Sequence, residues 1–295
     1  MAAPHSYVHI GLENTGTTYL QKCLAASREK LSRHNVLYPL TYDVESHLEL
    51  AAYAKDETSD DTVRIMAGLT RAEDTEPFRS NYERNLIEQL SKKQFQKVVF
   101  SSEHLSSRLV DKDEIARLKA LLSRFSDKIS VIVYLRRQDE VALSMYSTAV
   151  RGGWVNPISN PDERTALQRF DYRNILDTWS GIFGKDNLII RIYNDEVRND
   201  IVKDFCKVTS IDDNLVEKMA QSENARLDAR KIEFLRLLNK YLPVVENGQL
   251  SQRRGNLAQM VEKSLRQALN LLFQARCPNL WNCFIRAICM WRIAI

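Results

Sequence analysis

A chain of 295 residues, 44% hydrophobic and 27% charged, has the composition of an ordinary globular protein and can bury one full α/β core, with or without a small helical appendage. Its formal net charge of +4 suits an anionic cofactor and is too small to argue for nucleic acid. The five cysteines (Cys23, Cys206, Cys277, Cys283 and Cys289) show no C-x-x-C pair and no metal-ligand spacing with histidine, which points to a reduced, cytoplasmic setting and no metal. Met1 to Ser6 holds no apolar core of signal-peptide length, and no run approaches the ~20 apolar residues of a membrane span.

Val8 to Ile10 predicts a first strand, residues 15 to 33 a first helix, and Val36 to Tyr38 a short second strand. Residues 43 to 93 read as mostly helical and polar, with Asp56 to Asp61 an exposed loop. Val98 to Ser101 predicts a third strand. Asp113 to Phe125 carries Ile115, Leu118, Leu121 and Leu122 at helical spacing. A buried strand over 129 to 135 and a helix over 139 to 150 follow. Pro157 to Asp162, rich in Asn and Pro, reads as a loop, Tyr172 to Phe183 as a helix closed by Gly184, and Leu188 to Ile192 as a strand. Strands alternating with helices imply an α/β fold with a mainly parallel sheet covered on both faces.

Residues 228 to 242 and 256 to 274 read as helices linked by Asn247-Gly248 and Arg253-Arg254-Gly255. The expected division is an α/β domain over 1–245 and a helical, basic and apolar extension over 246–295. From Lys263 onward there is no acidic residue, and Leu280 to Ile295 combines Trp281, Phe284, Ile288, Met290, Trp291 and Ile295 with two arginines. Three readings stay open for that tail: packing on its own domain or a partner subunit, an interfacial helix on anionic lipid at the inner membrane face, or an atypical end.

The segment Tyr7 to Gln21 concentrates the chemical signal. A short apolar run ends in a loop of small and hydroxyl residues bounded by Gly11 and Gly16, and an amphipathic stretch from Tyr19 follows at once. Strand, loop and helix in that order aim backbone N–H groups and a helix N-terminus at a phosphate. Thr15, Thr17 and Thr18 add hydroxyls. Gly11 and Gly16 have the triphosphatase spacing and Thr18 fits its last position, but Thr17 stands where that pattern has lysine. A second signature lies far along the chain. The strand ending at Leu135 runs into Arg136-Arg137, and Ser144 follows eight residues after Arg136 on a predicted helix. A guanidinium at a strand's carboxyl end supplies charge and a helical serine supplies a hydroxyl. Arg151-Gly152-Gly153 beyond them reads as a basic, flexible turn suited to closing over a nucleotide.

Gly11-Leu12-Glu13-Asn14-Thr15-Gly16-Thr17-Thr18 resembles the 5′-phosphosulfate loop of sulfotransferases that use 3′-phosphoadenosine 5′-phosphosulfate (PAPS), which typically reads G-x-x-K-T-G-T-T. The one departure is Asn14 in the lysine position. Within that family the chain looks most like bacterial-type carbohydrate sulfotransferases, with Phe100-Ser101-Ser102-Glu103 and Phe170-Asp171-Tyr172 among the further landmarks. The resemblance covers roughly residues 5 to 240. It implies a P-loop α/β fold, PAPS as sulfuryl donor without a metal, and a carbohydrate or glycolipid acceptor. It further implies that Asn14 to Thr18 hold the 5′-phosphate and that Arg136 and Ser144 hold the 3′-phosphate.

Sulfuryl transfer asks for positioning, charge on the departing oxygen, and a base for the acceptor hydroxyl. Glu103, directly after the third strand, is the first candidate for the base. His104 and His47 are the others, although His104 on an extended backbone would point away from Glu103. Each has a structural alternative: a carboxylate paired with an arginine, or a histidine satisfied in the core. Arg191, Tyr193, Tyr172 and Trp154 are candidates for acceptor or adenine contacts, with packing the safer expectation for Tyr172 and Trp154. Segments 43 to 93 and 154 to 168 are expected to shape the acceptor cleft. Lys22, Arg136 or a cation of the 151 turn are the candidates to supply the charge that Asn14 lacks. Otherwise the enzyme is slow, or the chain binds nucleotide without catalysis. A P-loop kinase or triphosphatase is the remaining rival, disfavoured by the absent lysine.

Overall fold

Five apolar runs form the strands of one parallel sheet: β1 His5–His9, β2 Val36–Leu37, β3 Lys97–Ser101, β4 Lys128–Leu135 and β5 Leu188–Ile192, in the order β2-β3-β1-β4-β5. The computed structural model describes residues 4–41, 45–159, 169–220, 229–246, 249–251, 254 and 256–263. In register, His9 stands between Ser101 on β3 and Ile132 on β4, so β1 and β3 end together while β4 runs on to Leu135. The α/β class is the one read from the sequence, and the sheet expected to be mainly parallel is parallel throughout its five strands.

Alternate strand residues feed two cores, as a pleat requires. Val8, Val98, Phe100, Val131 and Val133 face one side, and Tyr7, Val99, Ile132 and Tyr134 the other. The second face is covered by α1 Thr17–Ala26 and α2 Arg28–Arg33, through Leu20, Leu24 and Leu31. The first is covered by α3 Leu48–Ala54, α4 Thr62–Met66, α5 Thr75–Ser91, α6 Glu103–Arg108 and α7 Lys112–Ser123. After α8 Gln138–Arg151, helix α9 Tyr172–Phe183 adds Ile175, Trp179 and Phe183 to that first face. Helices α10 Asp195–Asn199 and α11 Ile201–Thr209 complete the second with Val197 and Phe205. Asp111 and Asp171 cap α7 and α9 by accepting from Asp113 N and Asn174 N, which fixes where those helices start.

Several expectations are corrected. The helix expected over 15 to 33 is two helices, because the Ser27 hydroxyl donates to the Cys23 carbonyl at 2.7 Å and accepts from Glu217 N at 2.7 Å. The stretch read as mostly helical and polar is helical, but its first helix, α3, is buried along its whole length. Glu103 and His104 open a helix rather than extending a strand, because Ser102 caps it by accepting from His104 N.

The described residues divide into two compact units. One, holding the five-stranded sheet, comprises the residues up to Gln138 and those between 169 and 220; the other comprises 139–159 and 229–263. The second unit packs Val150 of α8 with Ile232, Leu235 and Leu238 of α12 Ala229–Asn239, Leu242, and Leu257 and Val261 of α13 Leu257–Lys263. Between those last helices β6 Val245–Glu246 and β7 Gln249–Leu250 pair antiparallel, a strand pair the sequence reading did not expect. The tail over 264–295, with Cys277, Cys283 and Cys289, lies outside the described residues, as does the acceptor-cleft stretch from 160 to 168.

Candidate active site

The loop leaving β1 needs three residues at positive φ: Gly11 at 51°, Asn14 at 65° and Gly16 at 76°. At Gly11 a Cβ would meet the Glu103 Cα at 3.1 Å, and at Gly16 the Tyr193 hydroxyl at 3.0 Å. Both glycines therefore answer backbone conformation and close approach together. Thr15 is buried and donates its hydroxyl to the Leu12 carbonyl at 2.6 Å, so it shapes the loop from within. Thr17 Oγ1 lies 3.4 Å from Thr15 Oγ1, and Thr18 is exposed on the first turn of α1. No side chain caps that turn at Gly16. A ten-residue helix thus begins beneath a glycine-bounded loop, the arrangement that favours an anion through dipole and N–H groups.

Arg136 is the first residue beyond β4 and is buried. Its Nη1 donates to the Asn14 carbonyl at 2.9 Å, and the guanidinium carbon lies 5.9 Å from the Tyr193 ring centroid. Arg198 approaches the same ring at 5.7 Å. The Tyr172 hydroxyl donates to the Arg136 carbonyl at 2.7 Å, and burial pushes that phenol up to about 12, keeping it a donor. The structure therefore brings Arg136 to the loop itself. Ser144 stands on α8 in the second unit, where its carbonyl accepts from the Thr148 hydroxyl at 3.1 Å.

Glu103 is drawn to the loop by α6. Ser106 N donates to the Ile10 carbonyl at 3.3 Å, and the Ser106 hydroxyl bonds the Gly11 carbonyl. The Glu103 carboxylate accepts from Gln21 Nε2 at 3.0 Å, and that amide also lies 3.3 Å from Ser101 O and Oγ. His104 shares the first turn of α6, and its Nδ1 is buried without a partner among the described residues. His47 is placed differently. Its Nδ1 accepts from Ser101 N at 3.1 Å, so Nε2 carries the proton and donates to the Pro39 carbonyl at 3.1 Å. With both ring nitrogens on backbone, His47 is a brace between β3 and the chain leaving β2.

Other candidates settle elsewhere. Arg191 pairs with Asp204, which also accepts from the Tyr134 hydroxyl at 2.9 Å. Trp154 is half exposed rather than packed in a core. The Arg151-Gly152-Gly153 turn is anchored, because Asn239 Nδ2 donates to the carbonyls of Val150 at 2.7 Å and Trp154 at 2.9 Å. Lys22 is exposed on α1. Gln21 and Ser106 were missed by sequence reasoning. The signal for Gln21 was a polar residue one turn into α1 on its apolar face, beside Leu20 and Leu24.

No family model matches the chain. An uncharacterised protein of Archaeoglobus fulgidus is 27% identical over 132 residues, 44% of this chain and 35% of that protein. The matched stretch thus spans about a third of that relative's length. Among solved structures, a sulfotransferase from Alicyclobacillus acidocaldarius is similar at a TM-score of 0.44 and 13% identity, over 81% of this chain and 94% of that one. Among the described residues no helix is long and apolar enough to cross a membrane.

Proposed function

We propose that the chain is a PAPS-dependent sulfotransferase that moves a sulfuryl group to a hydroxyl of a carbohydrate or glycolipid acceptor. One observation carries this reading: a glycine-bounded loop over an uncapped helix start, with the Arg136 guanidinium bonded to the loop at Asn14. The acceptor oxygen attacks sulfur, the bond from sulfur to the 5′-phosphate oxygen breaks, and adenosine 3′,5′-bisphosphate departs. Glu103, oriented by Gln21 and packed beside Gly11, takes the hydroxyl proton. The first-turn amides and the loop receive the growing phosphate charge. Arg136 brings a cation to the residue where the resembled family carries its lysine.

Binding of nucleotide without transfer is the second reading, and Asn14 favours it, because a neutral amide in place of a lysine forfeits about 2–4 kcal/mol of charge stabilisation. Calorimetric titration of adenosine 3′,5′-bisphosphate, ADP and ATP into wild type and Arg136→Ala tests the site. Micromolar binding of the bisphosphate, lost in the variant and far weaker for ADP, is expected. Equal binding of ADP, or indifference to Arg136, would overturn the site. Transfer of labelled sulfate from PAPS to an acceptor panel then separates the two readings.

A further inference from the structure

Glu13 is out of place in a loop that is to receive an anion. It stands between Gly11 and Gly16, directly before Asn14, and a carboxylate there repels the phosphate that the loop and first-turn amides attract. Glu103 puts a second carboxylate beside the loop, and as the base it must stay ionised. Against these, Arg136 brings one guanidinium, at Asn14. Arg198 approaches the Tyr193 ring but pairs with Asp195 at 2.8 Å.

The counter-charge for Glu13 comes from a distant part of the chain that no sequence pattern marked. Arg169 Nη1 lies 2.5 Å from Glu13 Oε2, and the two side chains are 25% and 27% exposed, so their charges are less screened than those of a pair on open surface. The three residues that follow hold the backbone at Arg169. Gln138 Nε2 donates to the Phe170 carbonyl at 3.4 Å, Asp171 accepts from Asn174 N at 3.0 Å to start α9, and the Tyr172 hydroxyl donates to the Arg136 carbonyl at 2.7 Å. Arg136 in turn returns to the loop at Asn14. Glu13 and Asn14, neighbours in the loop, are thus each met by a guanidinium, one from ahead of α9 and one from beyond β4.

We propose that Arg169 is a positioning residue for the donor that acts through Glu13: it neutralises the loop carboxylate and so makes the loop fit to take the donor's phosphate. This rests on the phosphate-loop part of the proposed function and not on sulfuryl transfer. The test is calorimetric titration of adenosine 3′,5′-bisphosphate and of inorganic pyrophosphate into wild type, Arg169→Ala, Glu13→Gln and the double variant. Pyrophosphate probes the charge of the loop without adenosine or a 3′-phosphate. Arg169→Ala is expected to weaken both anions about tenfold, and Glu13→Gln to bind them at least as tightly as wild type. The double variant should return to within about threefold of wild type, a rescue that a merely structural arginine would not show. Wild-type affinity in Arg169→Ala would overturn the proposal and leave the donor site standing. So would a double variant as weak as Arg169→Ala, which would make Arg169 a direct ligand of the anion. The same rescue with pyrophosphate, but no preference for the bisphosphate over ADP, would support the proposal and remove the sulfotransferase reading. Binding of neither anion to wild type would overturn both.

Discussion

Asn14 stands at φ 65°, in the left-handed region that asparagine enters far more readily than lysine. The change that would restore the resembled loop therefore carries a backbone cost of about 1 kcal/mol beside its gain in charge. Asn14→Lys is expected to lower the unfolding free energy in urea by that amount and to raise the rate of sulfuryl transfer, while Asn14→Gly leaves stability unchanged or higher. Equal midpoints for all three chains would show that residue 14 is not strained. His9 gives a second residue-scale prediction. It is buried with Nδ1 2.8 Å from Ser101 Oγ, and burial depresses its pKa from 6.5 to about 3. Below pH 6.5 the unfolded chain takes up a proton that the folded chain refuses, so stability falls as pH drops. The loss is about 1.4 kcal/mol for each pH unit between roughly 6 and 4. Urea midpoints of wild type and His9→Asn at pH 7.5 and 5 should diverge on the acid side, and parallel curves would count against it. The loop was legible in the sequence because its small residues have few other uses. His47 was not, because a histidine ahead of an apolar run looks alike whether its ring meets solvent or, as here, two backbone groups.

At the scale of elements, continuous apolar runs located β1, β3 and β4, since a parallel strand buried on both faces leaves no room for polar alternation, and the same kind of run located β5 although Ile190 and Ile192 of that edge strand are exposed. Helix ends were legible where a cap was present in the sequence, as at Gly184 after α9. The break between α1 and α2 was not, because the residue at the break, Ser27, meets a partner 190 residues away, the amide of Glu217. Ser27→Ala removes the acceptor for that buried-side N–H and the bond to the Cys23 carbonyl. The expected cost is about 1–3 kcal/mol by thermal unfolding, together with faster hydrogen exchange at Glu217. Exchange at Glu217 unchanged from wild type would show that the contact does not hold the segment. The pairing of β6 with β7 was not legible either, because strands of two residues each carry no periodicity to recognise.

At the scale of the whole molecule, the sheet-bearing unit was readable because each of its longer strands and helices carries its own local pattern. The second unit draws on two segments far apart in sequence, so its core cannot be inferred from local pattern. Arg254 shows the consequence. Read as part of a linker between helices, it is instead buried, with Nη1 donating at 2.7 Å to both Asn239 Oδ1 and the Leu242 carbonyl. Its Nη2 donates to the Arg151 carbonyl at 3.2 Å, so one guanidinium ties α12, the chain after it and the end of α8. Arg254→Met keeps most of the volume and strands three acceptors, which should cost about 2–4 kcal/mol. Because the two units have separate hydrophobic cores, that loss should be local. Amide exchange in α12 and α13 is expected to accelerate while β1, β3 and β4 keep their protection. Equal acceleration in the strands would show that the two units unfold as one cooperative body, and the buried arginine would then stabilise the sheet as much as the helices it touches.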